Sequence, residues 1–490
     1  MPVRVAGPNG VKDWIVKFGA DTGLLARILF SGLGLFAFSE PANADLSERT
    51  EWNRPSSVAM GDIPAELALP RVYLDGDSRA DLASNDGRTT TQGWLWWLQL
   101  MTGARFDFQP SYNFALSGSS SEKVRDGAVD LRGQPPGYVV SIVDTNDRTA
   151  GWSAARTIAA LADYQAKILS YGHRLIWIAG TPRGDGTPDG VRRTLSGAEL
   201  ADALQVRAWF LAQASVKSVH VADPWPLMLD HDSAQGRARD GILRDGLHWG
   251  PVGARLVAQA LTPVFDTLLE PRARLVMSND DLYSVANPGG SLVANPMFSG
   301  SGGMLGAGCS GDLADGWSAE AGQGMSAVFS KVTIDGDEWQ QVVVSGAPLA
   351  PNAGGDPLDP TPVSLVVSAD IDPLDLAQGD RFETLGAIEL DPGSSGLRGV
   401  ALYSSYTTAE GTVTLAAGEP TLARSQVNLD LPPEAVSGVA VVPRTVPLPE
   451  DVEAASVKIV ISGVPHSPRL KDVPISATLR FRAVSAHKGG

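Results

Sequence analysis

Cysteine is nearly absent from this chain. Cys309 is the only one in 490 residues, so no intramolecular disulfide can form, and no Cys/His cluster has zinc spacing. Positive charge is also scarce. Thirty-nine Lys and Arg stand against 55 Asp and Glu, a net charge of −16. That balance argues against a nucleic-acid surface, which needs basic patches, and against docking on anionic lipid. It favours solubility and says nothing about fold. No internal repeat, heptad run or collagen-like tract is present. No apolar run is long enough for a membrane span: Leu24 to Phe38 is short, carries Arg27 and is broken by Gly32 and Gly34.

What is present fits a globular protein. Hydrophobic residues make up 43% and charged residues 19%, enough for sizeable cores. The length implies two or three domains. The first is a segment over residues 1–52. Its apolar run, preceded by Lys12 and Lys17 and followed by Ala42-Asn43-Ala44, reads either as a secretory signal or as an amphipathic segment that packs on a neighbour or on another protein.

Residues 53–272 alternate strand-like and helix-like runs. The strand candidates are Arg71–Leu74, Tyr138–Val143, Arg174–Ala179 and Ser218–Ala222. Helices are expected over Ser153–Ser170, Ala198–Val216 and Gly253–Leu269. In the second of these, Leu200, Leu204, Trp209 and Leu211 are the expected apolar anchors. Such alternation predicts an α/β domain with a parallel sheet covered on both faces. Residues 273–490 differ. Gly, Pro, Ser and Asp punctuate short alternating runs such as Met325–Ile334, Val363–Ile371 and Ile475–Val484. This predicts a β-sandwich, jelly-roll-like domain.

Four separated pieces fit one reaction. Asp77-Ser78 follows a short strand and a Gly turn. Asn113 to Gly118 forms a loop. Asp144-Thr145-Asn146-Asp147 follows the second strand, and Asp245-Gly246-Leu247-His248 precedes the last helix. The first three can lie at or just past the carboxyl edge of the sheet, where open α/β folds build sites. A serine nucleophile needs a base, and the base needs an orienting carboxylate. Ser78, His248 and Asp245 supply these. An oxyanion needs donors, and the candidates are the backbone N–H groups of Ser78 and Gly118 and the amide of Asn146.

These blocks, in this order, resemble the SGNH (GDSL-type) hydrolase family, whose four named residues are matched by Ser78, Gly118, Asn146 and His248. The resemblance covers roughly residues 70 to 268. It implies a flavodoxin-like α/β/α three-layer fold, ester hydrolysis, and no metal or other cofactor. Two positions depart from the family pattern. Asp144 stands where the third block usually has Gly, and Arg79 where Leu or Ile often follows Gly-Asp-Ser. Asp144 is expected to crowd or recharge the oxyanion pocket, or to contact the substrate. Arg79 is read either as a contact for an anionic or sugar substrate or as the partner of a nearby carboxylate. Trp225 is read as a packing residue near the sheet edge or as a substrate wall.

The segment Asn295 to Gly303, with Gly316-Trp317 beyond, is loosely similar to openings of β-sandwich domains in phage tail and receptor-binding proteins. The expected function is therefore an esterase that removes acetyl groups from a surface polysaccharide. Its setting is a virion tail fibre or spike, held by residues 1–52 to other tail proteins as a homo-oligomer, with a trimer suiting a spike. The alternatives are a secreted bacterial carbohydrate esterase and, in another class, a glycan-binding or structural virion protein on an inactive scaffold.

Overall fold

A computed structural model describes residues 69–85, 87–271, 274–346, 363–420, 428–463 and 473–489, together with two strands near the start. The chain divides into two compact units, Met1–Arg54 and Pro55–Gly490. In the first, β1 (Val3–Val5) pairs antiparallel with β2 (Trp14–Val16). The signal-like stretch 24–44 lies outside the described residues. Among the described residues, no helix is long and apolar enough to cross a membrane.

The second unit begins with mixed α/β structure. Its strands are β3 (Val72–Gly76), then, after the short β4 (Ser84–Asn85) and β5 (Arg88–Thr90), β6 (Tyr138–Ile142), β7 (Arg174–Ile178) and β8 (Val219–Ala222). β3, β6, β7 and β8 form a parallel sheet in that order. Bridges Arg71↔Asp107 and Leu74↔Asn113, both parallel, lay a further stretch of chain along the free edge of β3. Every residue of β3 and β6 is buried. Alternation along the strands sends side chains to two separate cores. Val72, Leu74, Val140, Ile142, Ile176 and Ile178 face one, with α2 (Trp94–Thr102) and α9 (Pro251–Leu268). Tyr73, Val139, Leu175 and Trp177 face the other, with α5 (Ala154–Ser170) and α7 (Gly197–Ala212). The section is therefore three-layered, as continuous apolar strands require.

One expected face is corrected. On α7 the buried residues are Ala203, Val206 and Phe210, whereas Leu204 and Leu211 are exposed. Val206 and Phe210, four apart, define the stripe that meets Trp177 and Tyr164, and the two leucines fall outside it. Ser153 caps α5 and Ser196 caps α7 in a full capping box.

From β9 (Met304–Leu305) to β20 (Ile475–Gly489) the described elements are, apart from one short 3-10 turn, all strands. They form two mostly antiparallel sheets. One has six strands, among them β12 (Met325–Ile334), β13 (Asp337–Gly346), β15 (Arg381–Leu390), β18 (Val436–Val442) and β20. The other has eight, including β14 (Ser364–Ile371), β16 (Leu397–Thr408), β17 (Gly411–Glu419) and β19 (Ala454–Gly463). The opening segment forms a built corner: Phe298 stacks on Trp317 at 4.2 Å, and the Trp317 indole N–H donates to Asn295 O.

The division expected at 272/273 does not separate two cores. One hydrophobic cluster runs from Trp94, Trp96 and Trp97 on α2 to Leu402, Val436 and Ala440 in the β-rich section. The eight-stranded sheet also ends in borrowed strands. β5, seven residues after the end of α1 (Ser78–Asp81), pairs parallel with β17, and β4 pairs with β5. The reason is visible in the first section. α2 is apolar but for Gln99 and Thr102, all nine of its residues but Met101 are buried, and a helix of that kind needs cover on every side.

Candidate active site

β3 ends in Gly76 with φ +136°, and a Cβ there would lie 2.1 Å from Ile142 O. Only glycine fits this position. The chain then turns sharply, and Asp77 caps α1 by accepting from Arg79 N. Ser78 is the first residue of that helix. Its backbone N–H has no partner among the described residues, as expected at a helix start.

His248 reaches the serine from the far end of the section. Its Nε2 lies 2.8 Å from Ser78 Oγ and its Nδ1 lies 2.7 Å from Asp245 Oδ2. The other Asp245 oxygen accepts from the backbone N–H of Leu247 and His248, at 3.0 and 2.7 Å. Burial would push the Asp245 carboxyl up. The hydrogen bond and charge of His248, with Arg244 beside it, override that and hold it well below the usual carboxylate range. This carboxylate therefore contributes stability above its ordinary value, and the contribution is lost only as pH falls through the depressed one. Ser78 and His248 are each 7% exposed, so the pair is shielded yet reachable.

The expected oxyanion residues adjoin one another. Phe114 N donates to Leu74 O and Leu116 N to Gly76 O, so this loop runs alongside the end of β3. Asp81 Oδ2 accepts from both Ser117 N and Ser117 Oγ, which ties the loop to α1. Gly118 follows, exposed and at φ +77°. Asn146, on α4 (Thr145–Thr149), donates one amide hydrogen to Ser119 O at 2.9 Å. The other has no acceptor among the described residues. Gly118 and Asn146 are thus linked through the next residue, beside the turn that carries Ser78.

The two departures from the family pattern pair with each other. Arg79 Nη2 lies 2.7 Å from Asp77 Oδ2 and 2.6 Å from Asp144 Oδ1, Nε donates to Asp77 Oδ1 at 3.0 Å, and Nη1 donates to Thr181 Oγ1 at 3.2 Å. Its side chain is 1% exposed. Substrate contact by Arg79 is therefore corrected: the guanidinium is committed on three sides and sealed from solvent. Asp144, 7% exposed, is drawn to Arg79, so its carboxylate shares the one guanidinium with Asp77. For Trp225 the surroundings fit the packing reading. Trp225 opens α8 (Trp225–Met228), is 5% exposed, and lies under the Arg207 guanidinium at 5.8 Å.

Several neighbours escaped the sequence reading. Asp81, Thr181 and Arg183 serve the strand-end turns; Arg183 Nη1 donates to Thr145 O and Thr149 Oγ1 on the helix of Asn146. Asp81, one turn after Asp77, had the spacing to be suspected. Thr181 and Arg183 had only their place after a strand. Among the described residues no group of three or more His, Cys, Asp and Glu side chains could hold a metal ion.

Comparison with protein-family models and with curated proteins finds no match. Solved structures are similar over part of the chain. A GDSL-like lipase from Bacteroides thetaiotaomicron is 18% identical, with a TM-score of 0.31, over 42% of this chain and 94% of its own. A member of the lipolytic G-D-S-L family from Veillonella parvula is 17% identical, with a TM-score of 0.31, over 40% and 97%. The structure of TesA is 20% identical, with a TM-score of 0.30, over 41% and 99%. GDSL-type hydrolases are among the structural neighbours.

Proposed function

We propose that the protein is a serine carboxylic ester hydrolase. The observation that carries this is the continuous hydrogen-bonded run from Ser78 Oγ through His248 to Asp245, at 2.8 and 2.7 Å. In this reading Ser78 Oγ attacks the ester carbonyl while His248 Nε2 takes its proton. Asp245 holds the ring and balances the imidazolium. The tetrahedral oxyanion is met by the N–H groups of Ser78 and Gly118 and the free amide hydrogen of Asn146. His248 returns the proton to the leaving alkoxide. Water, deprotonated by the same ring, then releases the acid from Ser78.

The test is hydrolysis of p-nitrophenyl acetate by the full chain beside Ser78→Ala. We expect a clear rate that drops by roughly a thousandfold or more in the variant. Equal rates in two folded proteins would remove the serine mechanism, and no rate above background in either would leave the reading of a binding protein on an inactive scaffold.

The finer reading is also ours. We infer that the acyl group is acetyl on a surface polysaccharide, that the β-rich section is a β-sandwich, and that the setting is a phage tail, a homo-oligomer attached through residues 1–52. It is supported by the resemblance of the Asn295–Gly303 opening and by the single core joining the two sections. Acetate release from an acetylated capsular polysaccharide tests the substrate. The mass of the mature N-terminus tests the setting, since cleavage after Ala44 would favour the secreted esterase.

A further inference from the structure

The loop that carries Asp245 and His248 is held from outside its own section. It is closed at its base by a bridge between Leu243 and Trp249 and by Gly250 N donating to Ile242 O at 2.9 Å. Across this base lies Asn428, from the β-rich section. Its side-chain amide donates to Leu243 O at 2.7 Å. Its backbone carbonyl lies against the other end of the loop: a Cβ on Gly250 would sit 2.0 Å from Asn428 O. Asn428 therefore touches both ends of the catalytic loop at once.

Its own backbone is built for that contact. Asn428 has φ +57°, a left-handed conformation that asparagine tolerates better than most residues. Three residues on, Leu431 N donates to Leu397 O at 2.9 Å, which ties the segment to β16. The loop has a second tether. Arg244 Nη1 donates to Gln92 Oε1 at 2.5 Å, and the neighbouring Thr91 donates from its N–H to Glu419 O on β17.

We propose that Asn428 is a positioning residue for the catalytic base: the β-rich section clamps the Asp245–His248 loop so that the imidazole stays in register with Ser78. The chemistry supposed at Ser78 is that of the preceding subsection, but the clamp is a statement about geometry. His248 must hold its two hydrogen bonds at once, and a misplacement of about 1 Å can cost on the order of a hundredfold in rate.

Two variants separate the side chain from the backbone. Asn428→Asp keeps the shape but cannot donate to Leu243 O. Asn428→Gly keeps the positive φ and loses the amide. We expect kcat for p-nitrophenyl acetate to fall about tenfold in each, with KM within about twofold, because the substrate surface is untouched. A second readout does not depend on turnover. The ring N–H proton shared by His248 Nδ1 and Asp245 should give a downfield NMR resonance, identified by its loss in His248→Gln, that moves upfield or broadens in both variants. Variants that melt like the parent and keep both kcat and this resonance overturn the clamp. So does a rate loss that vanishes at temperatures where the variant is fully folded, with the resonance unchanged. If the parent shows no Ser78-dependent hydrolysis, the ester reading fails, and the resonance alone decides the clamp.

Discussion

The two halves of the site are held in different ways. On the nucleophile side, Ser78 sits between Asp77 and Arg79, and Arg79 is bound to Asp77, Asp144 and Thr181 in a buried ionic cluster. On the base side, His248 sits on a loop held by two hydrogen bonds, one donated by Arg244 of the loop to Gln92 and one donated by Asn428 to Leu243 O, with both partners far away in sequence. A buried ion pair repays its desolvation only while every member is present. A tethered loop loses alignment by degrees. Damage on the first side should therefore show as unfolding, and on the second as lost turnover.

The largest effect should come from the base side. Asp245→Asn keeps the shape but offers His248 the wrong partner. A stopped assay, run where the variant is fully folded, should show kcat down by about four orders of magnitude, beside some fall in melting temperature from the lost carboxylate. A loss under tenfold would deny Asp245 its role. On the nucleophile side, Arg79→Leu strands two buried carboxylates, and chemical denaturation should report a loss of about 3–5 kcal/mol. Adding Asp144→Gly, which returns both positions to the family pattern, should recover a large part of it. Two additive losses would mean that Arg79 and Asp144 are not coupled.

A smaller effect tests the floor beneath the nucleophile. Asp75, 5% exposed in β3, accepts from the Tyr164 hydroxyl at 2.8 Å and from Gly76 N. Burial pushes its carboxyl up to about 7, against the pull of these two bonds. A raised carboxylate contributes its stability below the ordinary value and loses it as pH rises through the folded one. Asp75→Asn should therefore melt progressively higher than the parent as pH is raised from about 4 to 8. A gap that does not change with pH would show that Asp75 does not titrate there. Smallest of all, Trp225→Phe should leave KM for small esters within about twofold, because the ring is packed under Arg207. A KM several times larger would return Trp225 to the substrate wall.

Much of the site could be read from the chain, and the rest fails to show for definable reasons. Ser78, Gly118, Asn146, Asp245 and His248 lie in short blocks whose local chemistry speaks for itself: a Gly turn before a helix start, a carboxylate three residues before an imidazole. The sheet was legible because its strands are continuous apolar runs. Leu204 and Leu211 misled because hydrophobicity alone does not say which stripe of α7 meets a neighbour. Arg79 and Asp144 each stood out, but their pairing spans 65 residues and depends on two strand ends lying side by side. Asn428 carried no signal, since a single polar residue 185 positions from Leu243 has no local pattern.

By itself, then, the sequence determined the layers, the strand ends and the residues capable of the chemistry, because periodicity and turn preference act over a few residues. Only the tertiary structure decided that Arg79 is internal rather than substrate-facing, that β5 joins the β-rich sheet, and that the base loop leans on Asn428. These depend on which surfaces meet, and surfaces meet through burial of apolar area that is shared between distant parts of the chain.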